Sequence, residues 1–432
     1  MFTFFFIISL IVFSVSYIAA IYTFISQKNQ IKNIFLSLED MDISVGGKHR
    51  FFSIYRTAEG TINGHYISVR IIYENRSRFF QIKAVPGKTI PHGCYIIPHG
   101  VISFLVDKIS QQDIKTGDLD FDERLNVGGH DSAGIVSLLN AKARATIMSL
   151  LAWHVEKLTI SEDKIIFLIP LHSVGRDGKV LKERIGNLVE LCTALSTEKD
   201  IKKGLIDNAL SDPDRKVRAN NLNLLLQNYP VDSEVKEALR KIIKDRDINI
   251  QITAARYLGE EGAGVLKMII EKEPDNYKSK AIIALAHSQG VKSLPDLISV
   301  YNLLHSYNTG SNVKQAFASA FEYIGDNRAQ DLLLDMLHSD DNSIRKAAVK
   351  ALGTCGDKKA VVMLYHLRKA SRLNASLKVL FRASIARIQS RLGYTEKGWL
   401  SLSIETEEAG ALSLEPDDKS GDLSIIEEGD KP

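Results

Sequence analysis

The sequence predicts a multidomain chain: an N-terminal transmembrane helix, a small α+β domain, an all-α solenoid of repeated helical hairpins, and a disordered acidic tail. Three observations predict it. Residues Phe2 to Ile25 carry no charged side chain. Short runs of β-branched and aromatic residues, punctuated by glycine, fill positions 41–170. From 183 to 392 those runs give way to helical periodicity that returns at intervals of one hairpin.

The first element is "MFTFFFIISLIVFSVSYIAAIYTFI". As a helix, its uncharged part is roughly 36 Å long, enough to cross a hydrocarbon core of about 30 Å. No basic n-region precedes it and the apolar run is too long for a cleaved signal, so a retained anchor over 2–25 is expected. Lys28, Lys32, Lys48 and Arg50 follow the span. By the positive-inside rule they place the chain in the inner membrane as a single-pass protein with its bulk in the cytoplasm. Cys94, Cys192 and Cys355 are odd in number and form no C-x-x-C, which suits reduced thiols rather than a secreted disulfide framework.

The second element, 41–170, is expected to be α+β. Tyr66–Tyr73, Phe79–Val85, Cys94–Pro98 and Lys164–Pro170 read as strands, and Gly60, Gly64, Gly87, Gly93 and Gly100 mark the breaks. "LTISEDKIIFLIP" reads as a hairpin turning at Glu162–Asp163. One helix, Ser137–Lys157, places Leu139, Ala143, Ile147, Leu150 and Leu151 at helical spacing, with Lys142 and Arg144 outside the stripe.

Between these lies "GDLDFDERLNV", in which Asp118, Asp120 and Asp122 alternate with Leu119 and Phe121. An extended chain would turn the acids to one face and the apolar residues to the other. A calcium loop counted from Asp118 needs Gly sixth and Glu twelfth, where Glu123 and Gly129 stand. A catalytic carboxylate pair would have to be held apart across a cleft. Neither is assigned. "PHGCYIIPH" sets His92, Cys94 and His99 together, with His130 as a fourth only by folding; the missing paired spacing argues for a surface turn and strand rather than structural zinc. The run Gly117–Gly129 followed by "LLNAKARATIMSLL" resembles a module of uncharacterised bacterial membrane-anchored proteins, patterned G-D-x-x-F-D-x-x-x-x-V-x-G. The resemblance implies bacterial origin and a shared fold, and no activity.

The third element repeats a frame. "LSDPDRKVRANNLNLLL", "IKDRDINIQITAARYLG" and "LHSDDNSIRKAAVKALG" each end one helix, pass through acids, and start another at Val217, Ile250 or Ile344. Looser copies place anchors at Tyr277, Val313 and Leu377, so successive anchors are 33, 27, 36, 31 and 33 residues apart, a helical-hairpin period. Asp212 is expected to cap the second helix of its hairpin, with Pro213 at the first position and Asp214 favouring the dipole. Ala254, Ala255, Ala347 and Ala348 suit close helix approach.

The frame resembles the HEAT-repeat family, including the HEAT-like repeats of phycobilin lyases. That resemblance implies a solenoid over 183–392 that binds proteins on its concave face. Arg218 and Arg345 stand where the family ladders to acids of a neighbouring turn. Gln251 stands at the same position and is expected to lack that bridge. Lys202, Lys203, Arg215, Lys216, Lys236, Arg240 and Lys241 are interleaved with acids and lack aromatic stacking partners, so nucleic acid is not an expected partner.

The tail, 397–432, is acidic and low in aromatics, a composition expected to be disordered. From Trp399 onward ten acids face Lys419 and Lys431, a balance of −8 that leaves +11 on the rest of the chain, whose overall charge is +3. Gly398, Gly410 and Gly421 each begin a G-x-L-S-[LI] unit. These units suit contact with the chain's own body, at a sheet edge or in the solenoid groove.

No nucleophile elbow, zincin motif, phosphate loop or dinucleotide fingerprint is present. No catalytic, cofactor-binding or metal-ligating residue is assigned, and no cofactor. The expected function is a membrane-anchored adaptor, not an enzyme, with a protein partner on the solenoid face. The alternatives are a HEAT-like lyase-type enzyme or cofactor-binding protein, and an envelope-maintenance factor facing the periplasm.

Overall fold

The structure is a computed structural model, and it describes residues 2–46, 57–74, 77–99, 113–151, 157–175, 177–196, 200–305, 309–369 and 375–392. The expected tail at 397–432 lies outside the described residues. The chain divides into two compact units, residues 1–232 and 233–432.

The first unit opens with helix α1 (Phe2–Ser37). Among the described residues no helix is long and apolar enough to cross a membrane. This corrects the expected anchor over 2–25, and with it the single-pass inner-membrane placement. The helix does not close at Ile25: it runs unbroken to Ser37 through Gln27, Lys28, Asn29, Gln30, Lys32 and Asn33. From Phe13, where its described side chains begin, apolar residues share the helix with Ser16, Thr23 and Ser26 before that amide- and lysine-rich run. Its last turns pack within the unit. Ile31, Ile34, Phe35 and Leu38 are buried, and the Phe35 ring stands 5.8 Å from that of Phe80.

Among the described residues the sheet has eight strands, antiparallel in every pairing, in the order β1-β2-β3-β4-β8-β7-β5-β6. Its strands are β1 (Ile43–Gly46), β2 (Thr57–Ile62), β3 (His65–Glu74), β4 (Ser77–Val85), β5 (Tyr95–Pro98), β6 (Leu125–Gly128), β7 (Lys157–Ser161) and β8 (Lys164–Pro170). Each strand expected from composition is present. The β7–β8 hairpin turns at Glu162–Asp163 as expected, with Ser161 paired to Lys164. Alternation sends Ile67 and Val69, Phe80 and Ile82, and Ile165, Phe167 and Ile169 into one core. Between β2 and β3 the turn is Asn63-Gly64, with φ of 50° and 80°. Two left-handed residues match the twist of a two-residue hairpin, and glycine adopts the second without steric cost.

The helix expected over Ser137–Lys157 is two helices. α3 (Ser132–Leu138) ends where Asn140 takes an extended conformation and caps α4 (Ala141–Leu150), its side chain accepting from the Ala143 amide. The acidic stretch is not extended either. Asp118 caps a short helix, α2 (Leu119–Arg124), which leads directly into β6.

α5 (Lys179–Ser196) lays Leu181, Ile185, Leu188, Val189, Cys192 and Leu195 inward, a period-3.6 stripe that meets β3 and β4. α6 (Ile201–Ser211) and α7 (Arg215–Asn228) form the first hairpin of the repeat frame, and both pack on α3 within this unit.

The described residues of the second unit form helical hairpins. First helices α8 (Ser233–Ile242), α10 (Ala263–Lys272), α12 (Leu294–His305), α14 (Gln330–Met336) and α16 (Lys358–Lys369) alternate with second helices α9 (Ile248–Leu258), α11 (Asp275–Gln289), α13 (Ser311–Ile324), α15 (Asn342–Cys355) and α17 (Ala375–Leu392). Each second helix packs along the next: α9 on α11, α11 on α13, α13 on α15, α15 on α17. Buried alanines 254, 255, 281, 284, 318, 320, 348 and 351 let these backbones approach closely. The anchors read from sequence, Ile250, Tyr277, Val313, Ile344 and Leu377, are each the third residue of a second helix, as Val217 is in α7.

Candidate functional site

The three aspartates are structural and they do three different things. Asp122 accepts from the Thr116 amide (3.0 Å), the Thr116 hydroxyl (2.8 Å) and the Gly117 amide (2.9 Å). Asp120 is exposed and pairs with Arg124 one turn on, at 3.0 Å. Asp118 caps α2 and accepts from Arg144 Nε at 3.0 Å.

Arg144, expected outside the apolar stripe, is buried. Its guanidinium fork grips both oxygens of the fully buried Asp212 carboxylate, at 3.0 and 3.1 Å, and also donates to the Leu139 carbonyl. Burial disfavours its charge, yet the hydrogen bonds to Asp212 and Asp118 outweigh that and raise its pKa. Asp212 is thus not the helix cap. Asp214 caps α7, accepting from the Lys216 amide at 2.7 Å. Gly117, at φ +95°, lies so close to α7 that a Cβ would stand 2.7 Å from the Lys216 carbonyl oxygen, which only glycine tolerates.

The histidines do not converge. His92 Nδ1 faces Asp131 at 3.4 Å, and His99 Nε2 lies 3.4 Å from the Asp122 carbonyl. The His130 ring covers Gly93, while Cys94 points into the core. Among the described residues no three His, Cys, Asp or Glu side chains are placed to hold a metal ion. All three cysteines are free and buried. Burial pushes the Cys94 and Cys192 thiols up to about 12 and that of Cys355 to about 11, far from thiolate at neutral pH.

The frame position at Arg218, Gln251 and Arg345 serves the backbone. Each side chain donates to the carbonyl six residues earlier: Arg218 to Asp212, Gln251 to Asp245, Arg345 to Ser339, at 2.9, 2.6 and 2.9 Å. These carbonyls lie in the turn before each second helix. Gln251 makes the same backbone closure as the arginines, a different contact from the acid bridge it was expected to lack.

Charge is segregated in the second unit, and the sequence reading missed it. First helices and their flanking turns carry both signs and ladder them. Arg240 meets Glu261 at 2.8 Å, Lys267 meets Asp296 at 3.0 Å, Lys292 meets Glu260 at 2.7 Å and Lys359 meets Asp331 at 2.8 Å. The hydrogen bond from Arg240 holds Glu261 below its ordinary pKa.

The five second helices differ. They carry eleven lysines and arginines against Asp275 and Glu322. Lys350 pairs with Glu322 at 3.1 Å and Lys280 donates to neutral Asn249 at 2.6 Å. Arg256, Lys346, Arg382 and Arg387 are exposed. Among them stand apolar side chains: Tyr257 is 41% exposed, Ile283 37% and Tyr323 57%. The Tyr323 ring rests 4.2 Å from that of His287 on the preceding second helix. The signal lay in the frame itself. Splitting the charge count by hairpin half, rather than along the chain, separates a mixed layer from a basic one.

Residues 300–375 match the family model of HEAT repeats. Together with the helical C-terminal unit, that match supports HEAT-type hairpins over 300–375, from within α12 to the first residue of α17. No curated protein matches the chain, and the bacterial, membrane-anchored kinship inferred from Gly117–Gly129 gains no support.

Proposed function

We propose that the HEAT unit is a protein-binding scaffold that holds an acidic partner on the exposed face of its second helices. HEAT repeats commonly mediate protein–protein contacts, and stacked repeats turn one helix layer into an extended concave binding surface. One observation carries the reading: the second helices carry eleven lysines and arginines against two acids, whereas the first helices carry nine against six and ladder several of them into ion pairs. Uncompensated charge steers an oppositely charged partner, and exposed tyrosines and aliphatic residues among it supply the apolar contact that steering alone lacks. In this reading the chain acts by binding and not by catalysis, and Arg144, Asp118 and Asp212 brace the sheet-bearing unit.

The test is affinity capture with the full-length chain against the same chain carrying Lys346→Glu and Arg387→Glu. Both side chains are exposed, so the fold is expected to survive. The expected result is an acidic protein retained by the wild type and lost by the variant. An identical captured set from both chains overturns the reading.

A further inference from the structure

The basic second-helix face has a candidate occupant within the chain itself. The last described helix, α17, is one of the second helices, and its final residue is Leu392. The chain continues to Pro432, and from Trp399 it carries ten acids against two lysines. Charges on the two partners are opposite and similar in number. The tail also carries apolar pairs, Leu400/Leu402, Leu412/Leu414 and Leu423/Ile425, each in a G-x-L-S-[LI] unit. Apolar side chains stand among the basic ones on the face as well, at Tyr257, Ile283 and Tyr323.

Length permits the contact. Adjacent packed helices lie 8–10 Å apart, so the steps from α17 back to α9 cover roughly 40 Å. The residues after Leu392 reach about 130 Å if extended, at 3.3 Å each.

We propose that the acidic segment 399–432 lies on the basic face of α9, α11, α13, α15 and α17 in its own chain, and that an acidic partner must displace it. The proposal rests on the binding face inferred above and adds a regulator to it. Tethering makes the contact intramolecular, with an effective concentration in the millimolar range for a short linker. A partner in solution therefore competes at a disadvantage until it outbinds the segment or the segment's charge is altered. Ionic strength acts in the same direction on both, because exposed charges are screened.

The experiment uses two full-length chains: the wild type, and one whose ten tail acids are changed to the corresponding amides. A labelled synthetic peptide of residues 399–432 is titrated onto each, with fluorescence anisotropy as readout. Saturable binding to the neutralised chain is expected at low salt, weakening as salt is added. Binding to the wild type should be weaker by at least about tenfold, because the native segment competes. Adding Lys346→Glu and Arg387→Glu to the neutralised chain should abolish peptide binding.

No saturable binding to the neutralised chain at low salt overturns the proposal, as does equal affinity for the two chains. Peptide binding that survives the double charge reversal places the segment elsewhere and overturns it too. So does sedimentation showing wild-type dimers that vanish in the neutralised chain, since the segment would then reach a second copy. If the peptide fails while an acidic protein is still captured through Lys346 and Arg387, the tail proposal falls and the scaffold reading stands.

Discussion

At the scale of single residues, two buried polar groups govern the first unit. Arg144 and Asp212 are a buried ion pair, and removing one partner of such a pair strands the other charge, at a cost of about 3–5 kcal/mol. Arg144→Met should therefore destabilise the sheet-bearing unit by that amount in denaturant unfolding, and a loss under about 1 kcal/mol would show that Asp212 finds another donor. His65 is the second group. Its Nδ1 accepts from the Gly87 amide at 3.0 Å, which leaves the proton on Nε2, 2.9 Å from the Thr193 hydroxyl. Burial lowers its pKa below the free value of 6.5, so the folded chain keeps the ring neutral where the unfolded chain protonates it. The unfolded state then binds more protons, and stability rises with pH through that window. Stability from this group should be complete above about pH 6.5 and fall as the pH drops below it, a slope that His65→Gln should remove from a series of unfolding curves. Neither group was visible in sequence, because Arg144 sits 68 residues from Asp212 and His65 128 from Thr193.

At the scale of elements, local signals were legible where one element alone set the outcome. The β7–β8 turn, the strand cores and the start of each second helix follow from nearby residues: a two-residue turn, alternation, and a frame with its anchor in the first helical turn. The acidic stretch misled for a local reason of its own. Alternating Asp and apolar residues read as a strand, but Asp118 caps α2 and Asp122 holds three donors, so hydrogen bonding overrode the period of two. α1 misled through composition. Its apolar run suggested a span, yet the helix continues past that run and spends Ile31, Ile34 and Phe35 on packing. Phe35→Ala should cost about 3–5 kcal/mol in unfolding of the full-length chain, since it deletes a ring buried beside Phe80. A change below about 1 kcal/mol would mean that α1 is only loosely docked, because a packed aromatic ring cannot be lost so cheaply.

At the scale of the whole molecule, a net charge of +3 hides large opposed fields. The second helices of the second unit carry eleven bases against two acids, its first helices nine against six, and the last residues of the sequence are acidic. Binding driven by such a face depends steeply on salt, because the Debye length falls from about 10 Å at 0.1 M to about 3 Å at 1 M. Retention of an acidic partner by the wild-type chain should weaken progressively across that range. Retention unchanged at 1 M salt would assign the contact to Tyr257, Ile283 and Tyr323 rather than to the lysines and arginines.

By itself, the sequence determined the hairpin frame, the four strands it named and the sign of each segment's charge, since each depends on residues within a turn or a strand of one another. Only the tertiary structure decided that Arg144 is buried, that the first hairpin packs with the sheet-bearing unit, and that α1 docks through its last turns. It also decided which lysines and arginines share a layer. Those outcomes depend on pairings across tens of residues, where desolvation and packing between elements outweigh any local pattern.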